Sequence, residues 1–589
     1  MTVTRPDQAG GEQTTAPGWR PFRQALMLAD DGRFLLDRFL GRFCNPFYRI
    51  DSEAALYDKT VDRLTGEPLS LANFEALKCG TEAPDELQRE LGSFLADSLV
   101  DNYATTFPAL NPFRPLLSPE LERHLMQMAA VRCGKEIPPA ILEQTAIASS
   151  SEQTPIPRPR SEHEERFRQR IDNLRALRNV NVRNRANRDG SVLIVGAGPA
   201  GLIRAISAAL QGLRTTVLEL RPDDGAKRPQ IVVIRSQAVI ALLDRLGVVD
   251  FLFKEGRIFP LGRLQLEVSL ADLELAFEAI LCLVTADEPD QIVQRGAVIE
   301  RIDQQQGLAR VIARKSDQRT LLSFSPQLIV IADGKRSPTS GLLGISRRDR
   351  FHSHTGIIAI FRADGSGLSR SRRMLGALAS KLNYVFHRYV SRKGRKLIAG
   401  TILQVPGHHY LGLDLARDEE MRLREALTQA GEVNFPTEGA SRNGSKSPTE
   451  SRELRRLLRF WANYGFEAIR THPIGSAPHT GGRPIPWLPL DPQLAMPIEV
   501  VSDRAEVFCG HIGETFVMLE GDAQFTIHPG SASGCAKAFL SARLFDFLLA
   551  RLSRPDERGR RLAERVFFLN AELTARECDK VTRFFRVTV

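Results

Sequence analysis

The stretch Ser191-Val-Leu-Ile-Val-Gly196-Ala-Gly198-Pro199-Ala200-Gly201 places three glycines at the spacing GxGxxG directly after an apolar run. Residues of these types in this order suit the binding of a pyrophosphate. Gly196 allows a tight turn, Gly198 lets phosphate oxygens approach the backbone at a helix N-terminus, and Gly201 lets that helix lie close to the strand. The helix that follows carries Leu202, Ile203, Ile206, Ala209 and Leu210 on one face and stops at Gly212. Thr215 to Leu218 read as a second strand. Glu219 then stands, with Leu220 beside it, where a carboxylate accepts hydrogen bonds from ribose hydroxyls. Strand, helix, second strand and acid in register predict a dinucleotide site and a Rossmann-type α/β domain. The competing reading is a structural glycine turn with Glu219 as a solvated strand end.

Two further segments share the form of an apolar strand breaking into a polar turn. One is Leu328-Ile-Val-Ile-Ala-Asp333-Gly334-Lys-Arg-Ser337. The other is Phe516-Val-Met-Leu-Glu-Gly521-Asp522-Ala523, followed by Pro529 and the small-residue loop Gly530-Ser-Ala-Ser-Gly534-Cys535-Ala536, which opens a helix. A dinucleotide fingerprint, then ADGxxS, then GDA with a glycine loop, resembles the class A flavin monooxygenases of the p-hydroxybenzoate hydroxylase family. The likeness covers roughly residues 190 to 550. It implies an FAD-binding domain with a β-sheet substrate domain, the flavin's ribityl chain held by Asp522, and Asp333 supporting the FAD. It also implies NADPH or NADH as reductant, O2 as co-substrate, and insertion of one oxygen atom through a C4a-(hydro)peroxyflavin.

Within that family the chain looks most like the MICAL-type monooxygenases, on Ala332-Asp-Gly-Lys-Arg and Gly534-Cys-Ala-Lys-Ala-Phe-Leu-Ser-Ala542. Two departures stand out. The usual GDAAH is Gly521-Asp-Ala-Gln-Phe525, and the arginine that often closes DGxxSxxR is Ser340. Neither is the ribityl carboxylate. Family members also place an arginine against the FAD pyrophosphate shortly after the fingerprint; Arg228 fits that place, with Arg235 the second choice and an ordinary surface arginine the competing reading. His528, just before Pro529, is the one histidine the resemblance brings near the flavin, either to tune it or as a structural histidine. No catalytic side chain is assigned. A flavin-dependent halogenase of the same fold lacks its WxWxIP signature here. A flavoprotein that uses FAD non-oxidatively, as a cyclase or scaffold, stays open.

Other chemistries find little support. His408 and His409 are adjacent and point to opposite faces of a strand, and His352 and His354 have no nearby ligand to complete a metal site. No GxSxG is present. No second GxGxxG occurs, so the nicotinamide is expected to visit without a Rossmann fold of its own.

The rest of the chain must position these groups. Its 589 residues, 42% hydrophobic and 25% charged, predict two or three globular domains. Residues 1–20 are polar and read as a disordered tail. Residues 21–147 read as an extra helical domain, with Leu87, Leu91, Phe94, Leu95 and Leu99 on one face and a helix from Ser118-Pro119 to Gly134. Its role is open among a cap, a dimerisation unit that would make a homodimer, and a partner-docking domain. Residues 148–190 combine a Ser/Pro linker with an arginine-rich helix, and residues 191–350 form the first part of the FAD domain. Residues 351–505 read as the substrate domain, with strands at Gly356–Phe361, Tyr384–Val390, Lys396–Val405 and Tyr410–Leu415. A hairpin signal stands at Ser391–Gly394 and a loop at Pro436–Pro448. Residues 506–589 return to the FAD domain and end in helices.

The net charge is +10, and ten arginines lie between Arg158 and Arg188. A phosphate-rich or acidic partner would suit that segment, but Glu162, Glu164, Glu165 and Asp172 favour a solvated helix packing one edge on the FAD domain, and no nucleic acid is expected. The seven cysteines show no CxxC spacing and read as reduced thiols of a cytoplasmic protein. No apolar run is long enough to span a membrane. The substrate is a small molecule or a carrier-tethered one; the long 344–498 region and the added N-terminal residues point to the larger kind.

Overall fold

The computed structural model describes residues 16–22, most of 69–134, 159–184, most of 190–363, 397–405, 408–415, 433–434, 490–526, 534–552 and 556–588. Ser191–Val195 (β2) is apolar along its length and buried on both faces, as a central parallel strand requires. It pairs in parallel with Arg214–Glu219 (β3) and with Leu328–Ile331 (β11). The parallel set is extended by Val293–Arg295 (β7) beside β3 and Thr515–Leu519 (β18) beside β11. Two antiparallel strands, Cys509–Ile512 (β17) and Trp19–Pro21 (β1), complete a seven-stranded sheet ordered β1-β17-β18-β11-β2-β3-β7.

Alternation along these strands divides the core in two. Val192, Ile194, Val217, Val330, Phe516 and Met518 join one cluster, against Pro199–Leu210 (α5), Leu270–Val284 (α8) and Gly534–Leu552 (α10). Leu193, Val195, Leu218, Ile329, Ile331 and Val517 join the other, against the antiparallel sheet of Ala297–Gln305 (β8), Leu308–Lys315 (β9) and Leu321–Phe324 (β10). A smaller sheet is formed by Ile231–Ile234 (β4), Leu266–Ser269 (β6) and Phe259–Pro260 (β5).

The N-terminal helices differ from the expected separate unit. Leu71–Cys79 (α1), Glu86–Thr105 (α2) and Pro119–Cys133 (α3) form, and α3 begins as its sequence requires. The Ser118 hydroxyl accepts from the Leu121 N–H, and Gly134 ends the helix in the left-handed region. Their apolar faces, however, run into the first cluster and share it with α10 and Glu557–Thr588 (α11). The Asn111 amide donates to Asp546 (2.9 Å), Arg558 pairs with Glu90 (2.8 Å) and Arg551 pairs with Asp101. One hydrophobic core therefore includes these helices. Trp19 and Arg20, read as the end of a disordered tail, instead form β1 on the sheet edge. The reason is local: three residues give no periodicity, while β17 offers an unpaired edge.

The arginine-rich segment forms Arg160–Asn184 (α4). Phe167, Ile171, Leu174 and Leu177 are all buried, and Gln237–Arg245 (α6) and Val248–Lys254 (α7) supply acids to its edge. Arg166 and Arg170 pair with Asp244 at 3.2 and 3.1 Å, so this edge packs on the FAD domain.

The second large sheet has five strands, in the order Leu397–Val405 (β13), His408–Leu415 (β14), Arg347–Ala363 (β12), Leu490–Ala505 (β16) and Val433–Asn434 (β15). Its spine is β12 paired antiparallel with β16, from Arg347↔Ala505 to Ala363↔Leu490. The other three strands flank them. The roots of β12 and β16 meet the first sheet's C-terminal end. Tyr384–Val390, Ser391–Gly394 and Pro436–Pro448 lie outside the described residues.

Candidate functional site

The three turn motifs follow three adjacent parallel strands in register. Val195, Ile331 and Leu519 lie side by side, so Gly196, Ala332 and Glu520 leave the sheet together. Gly196 adopts φ +101°, and its N–H donates to the Leu218 carbonyl at 2.7 Å. A Cβ there would stand 2.4 Å from the Ala332 carbonyl oxygen and 2.8 Å from the Asp333 Cα. A Cβ on Gly201 would stand 1.9 Å from the Gly196 carbonyl, so helix α5 can meet the turn only without one. Gly521, at φ +59°, would bring a Cβ to 2.9 Å from that of Ala200. Residues over 300 positions apart in sequence thus form one cradle, closed to side chains at Gly196, Gly201 and Gly521.

Helix α5 starts at Pro199, whose missing N–H costs nothing in the first turn. Gly198 caps it with no side chain, so the first-turn N–H groups have no side-chain acceptor and face the cradle as an anion site. Glu219 ends β3 and is buried. It accepts from the Ala197 N–H (2.6 Å), the Arg221 N–H (2.9 Å) and the Arg221 Nε (2.8 Å). Burial pushes this carboxyl up, but Arg221 and the two N–H groups outweigh it and hold it below the usual range. The acid is ionised and fixed against the turn. Arg221 Nη2 also donates to its second oxygen at 3.3 Å, so each oxygen already accepts twice and ribose hydroxyls would have to share or displace this arginine. Leu220 beside it is 60% exposed.

Asp333 lies under the middle of the cradle. One of its carboxylate oxygens accepts from the Thr339 N–H at 3.2 Å. The other, Oδ1, is buried and finds no partner among the described residues. Burial pushes its carboxyl up, against the hydrogen bonds of Ser337 and Thr339. An orphaned buried acceptor costs about 1–3 kcal/mol, and a polar ligand in the cradle would remove that cost. Ser340, in place of the family's arginine, bonds locally: its N–H donates to the Ser337 hydroxyl at 3.0 Å in Pro338–Leu342 (α9).

Asp522 is exposed in the Gly521–Ala523 turn. That turn is held by a residue the motifs do not reveal. Arg347, at the root of β12, donates to the carbonyls of Asp522 (2.9 Å) and Ala523 (2.6 Å) while pairing with Asp503 (2.7 Å). Asp503 in turn accepts from the Thr526 hydroxyl at 2.7 Å. Helix α10 opens at Gly534, exposed, with Cys535 half-buried and Ala536 buried. Its Lys537 is buried, reaches back to the Gln524 side chain (3.2 Å) and lies over the Phe525 ring. Below, the buried Arg204 pairs with Glu520 (2.8 Å) and stacks on Phe545. Arg347, Lys537 and Arg204 were missed by motif reading. The one sequence signal was charge on otherwise apolar faces, at Arg204 and Lys537.

Arg228, Arg235 and His528 lie outside the described residues. Among the described residues no three His, Cys, Asp or Glu side chains gather for a metal ion, and no helix is long and apolar enough to cross a membrane.

The cradle fits a dinucleotide with a polar extension: glycine turns and helix amides for a pyrophosphate, an acid at either end, and an unpaired carboxylate oxygen between. No curated protein sequence matches the chain. Solved structures to which the chain is similar include aklavinone-11 hydroxylase in complex with FAD and aklavinone. It is 19% identical over 61% of this chain and 62% of that one, with a TM-score of 0.41. They also include the Diels-Alderase of pyrroindomycin biosynthesis (17%, 68% and 73%, 0.41). A third is p-nitrophenol 4-monooxygenase from Pseudomonas putida (15%, 68% and 88%, 0.43). The chain spans less than two thirds of the first of these, and the three names carry different chemistries, so they single out no reaction. Residues 189–366 match the model of the FAD binding domain family, and the chain thus carries an FAD-binding domain over that segment.

Proposed function

We propose that the protein is an FAD-dependent monooxygenase that consumes NAD(P)H and hydroxylates or epoxidises an organic substrate. The observation that carries this reading is the meeting of the three turns, with Asp333 Oδ1 unpaired between the fingerprint and Asp522. For hydroxylation, the overall balance is substrate–H plus O2, NAD(P)H and a proton giving substrate–OH, water and NAD(P)+. Side chains have no two-electron chemistry with O2, so bound FAD supplies it.

The chain's own residues bind and orient. The first-turn N–H groups of α5 take the pyrophosphate, Glu219 takes ribose hydroxyls, and Asp522 takes ribityl hydroxyls. Arg347 fixes the Asp522 and Ala523 carbonyls from the root of the β12–β16 sheet, which ties the flavin turn to the sheet that would roof the substrate. The long 344–498 region fits a large or carrier-tethered substrate, in a cytoplasmic setting that suits its cysteines. The likeness to MICAL-type monooxygenases rests on two motif stretches and names no substrate.

Anaerobic reduction of the FAD-loaded protein by NADPH, followed by mixing with O2, tests the reading. Rapid reoxidation coupled to an oxygenated product supports it. Slow, uncoupled reoxidation with any bulky aromatic substrate would leave the flavin a non-oxidative element, and chloride-dependent product would make the protein a halogenase.

A further inference from the structure

The strands that steady the flavin turn have a second face. Arg347 lies opposite Ala505 and Arg348 opposite Arg504 in the β12–β16 ladder. Directly opposed residues share a face, and neighbours along a strand do not. Arg347, which grips the turn, and Arg348 therefore face opposite ways. Ser346, Arg348, Arg504 and Glu506, all on the second face, line a cavity of about 560 Å3. Leu343 to Ile345 and Val507 complete this side, and the facing walls come from far along the chain, with Trp19 and Phe22 from one end and Phe568 and Glu572 from the other. None of the glycine-turn residues lines it.

This volume lies within the range of small-molecule sites, about 300–1,000 Å3. Three aromatic rings give it flat apolar walls. Its charges are unevenly matched. Arg348 has a partner in Glu506 at 3.5 Å. The Arg504 side chain is 25% exposed and forms a looser ion pair with Asp579 at 3.9 Å, a distance at which its N–H groups stay open to a closer acceptor. A guanidinium presents five donors in a planar fork that matches a carboxylate. Glu506 and Glu572 in the same wall oppose a second negative charge.

We propose that this cavity is a second small-molecule site, separate from the flavin cradle, that takes an aromatic monocarboxylate. The ring is taken by Trp19, Phe22 and Phe568, and the carboxylate by Arg504. This inference does not depend on the monooxygenase reading.

Calorimetric titration of the full-length, FAD-loaded protein with 1-naphthoate tests it, with the uncharged 1-naphthamide as comparison. Expected are a single saturable site, a preference for naphthoate of about tenfold, and loss of that preference in Arg504→Gln, one charge-assisted bond being of that order. Trp19→Leu should weaken both ligands, and FAD content should be unchanged in both variants. Absence of saturable binding, or naphthoate binding unchanged in Arg504→Gln, overturns the proposal; the latter would place the ligand elsewhere, including the flavin cleft. Should Arg504→Gln fail to fold, equal affinities of the wild type for the two ligands, or no effect of Trp19→Leu, would overturn it instead.

Discussion

Lys537 provides a quantitative test of how the site is built. Its amine is buried beside the flavin turn, hydrogen-bonded to Gln524 and set over Phe525. Burial lowers its pKa from the ordinary 10.5 to about 8, against the opposing pull of Cys578, Glu520 and Asp522. At about 1.4 kcal/mol per pH unit the depression corresponds to roughly 3 kcal/mol. A folded pKa below the unfolded one gives stability that is fully present above about pH 10.5 and is lost as pH falls through about 8. Between pH 7 and 9.5 the wild type should therefore gain roughly 2 kcal/mol relative to Lys537→Met, which has no proton to lose. Urea unfolding of both proteins at the two pH values measures this, and titrating groups remote from Lys537 cancel in the difference. Parallel stabilities at pH 7 and 9.5 would refute the reasoning, because they would mean that the amine is solvated or stays charged when buried.

Three further outcomes are expected. Asp522→Ala should weaken FAD binding about ten- to a hundredfold, the loss of a charge-assisted bond of roughly 1.5–3 kcal/mol, with little change in Tm because the side chain is exposed; fluorescence titration checks both. Gly196→Val should abolish FAD uptake and lower Tm, since φ +101° is closed to valine and its Cβ would strike the Ala332 carbonyl. Asn111→Leu should destabilise the fold by about 1–3 kcal/mol, because the buried Asp546 loses one of its donors; urea unfolding reads this directly.

The sequence made the cradle's parts legible because each is local. A buried strand, a glycine turn and a helix follow one another within about twenty residues at 191–212, and the turns at Asp333 and Asp522 each end an apolar run. What holds the parts together is not local. Arg347 reaches Asp503 and the 522–523 carbonyls, and Arg204 reaches Glu520, across spans that no periodicity encodes. The face of Leu91, Leu95 and Leu99 announced that α2 is buried but not against what, so a helical layer of the FAD domain read as a domain of its own. Deleting residues 1–150 to probe their role would consequently strip the core that Asp546 and Phe545 share, and only the intact chain is a fair test of substrate preference. At β1 the pattern was too short to see at all.

The central claim, that the three turns form one flavin cradle, is tested most directly by the flavin content of the purified protein. The account predicts flavin absorbance corresponding to about one FAD per chain, or uptake of added FAD to that ratio. Protein that is folded, free of flavin absorbance and unable to take up added FAD would contradict it.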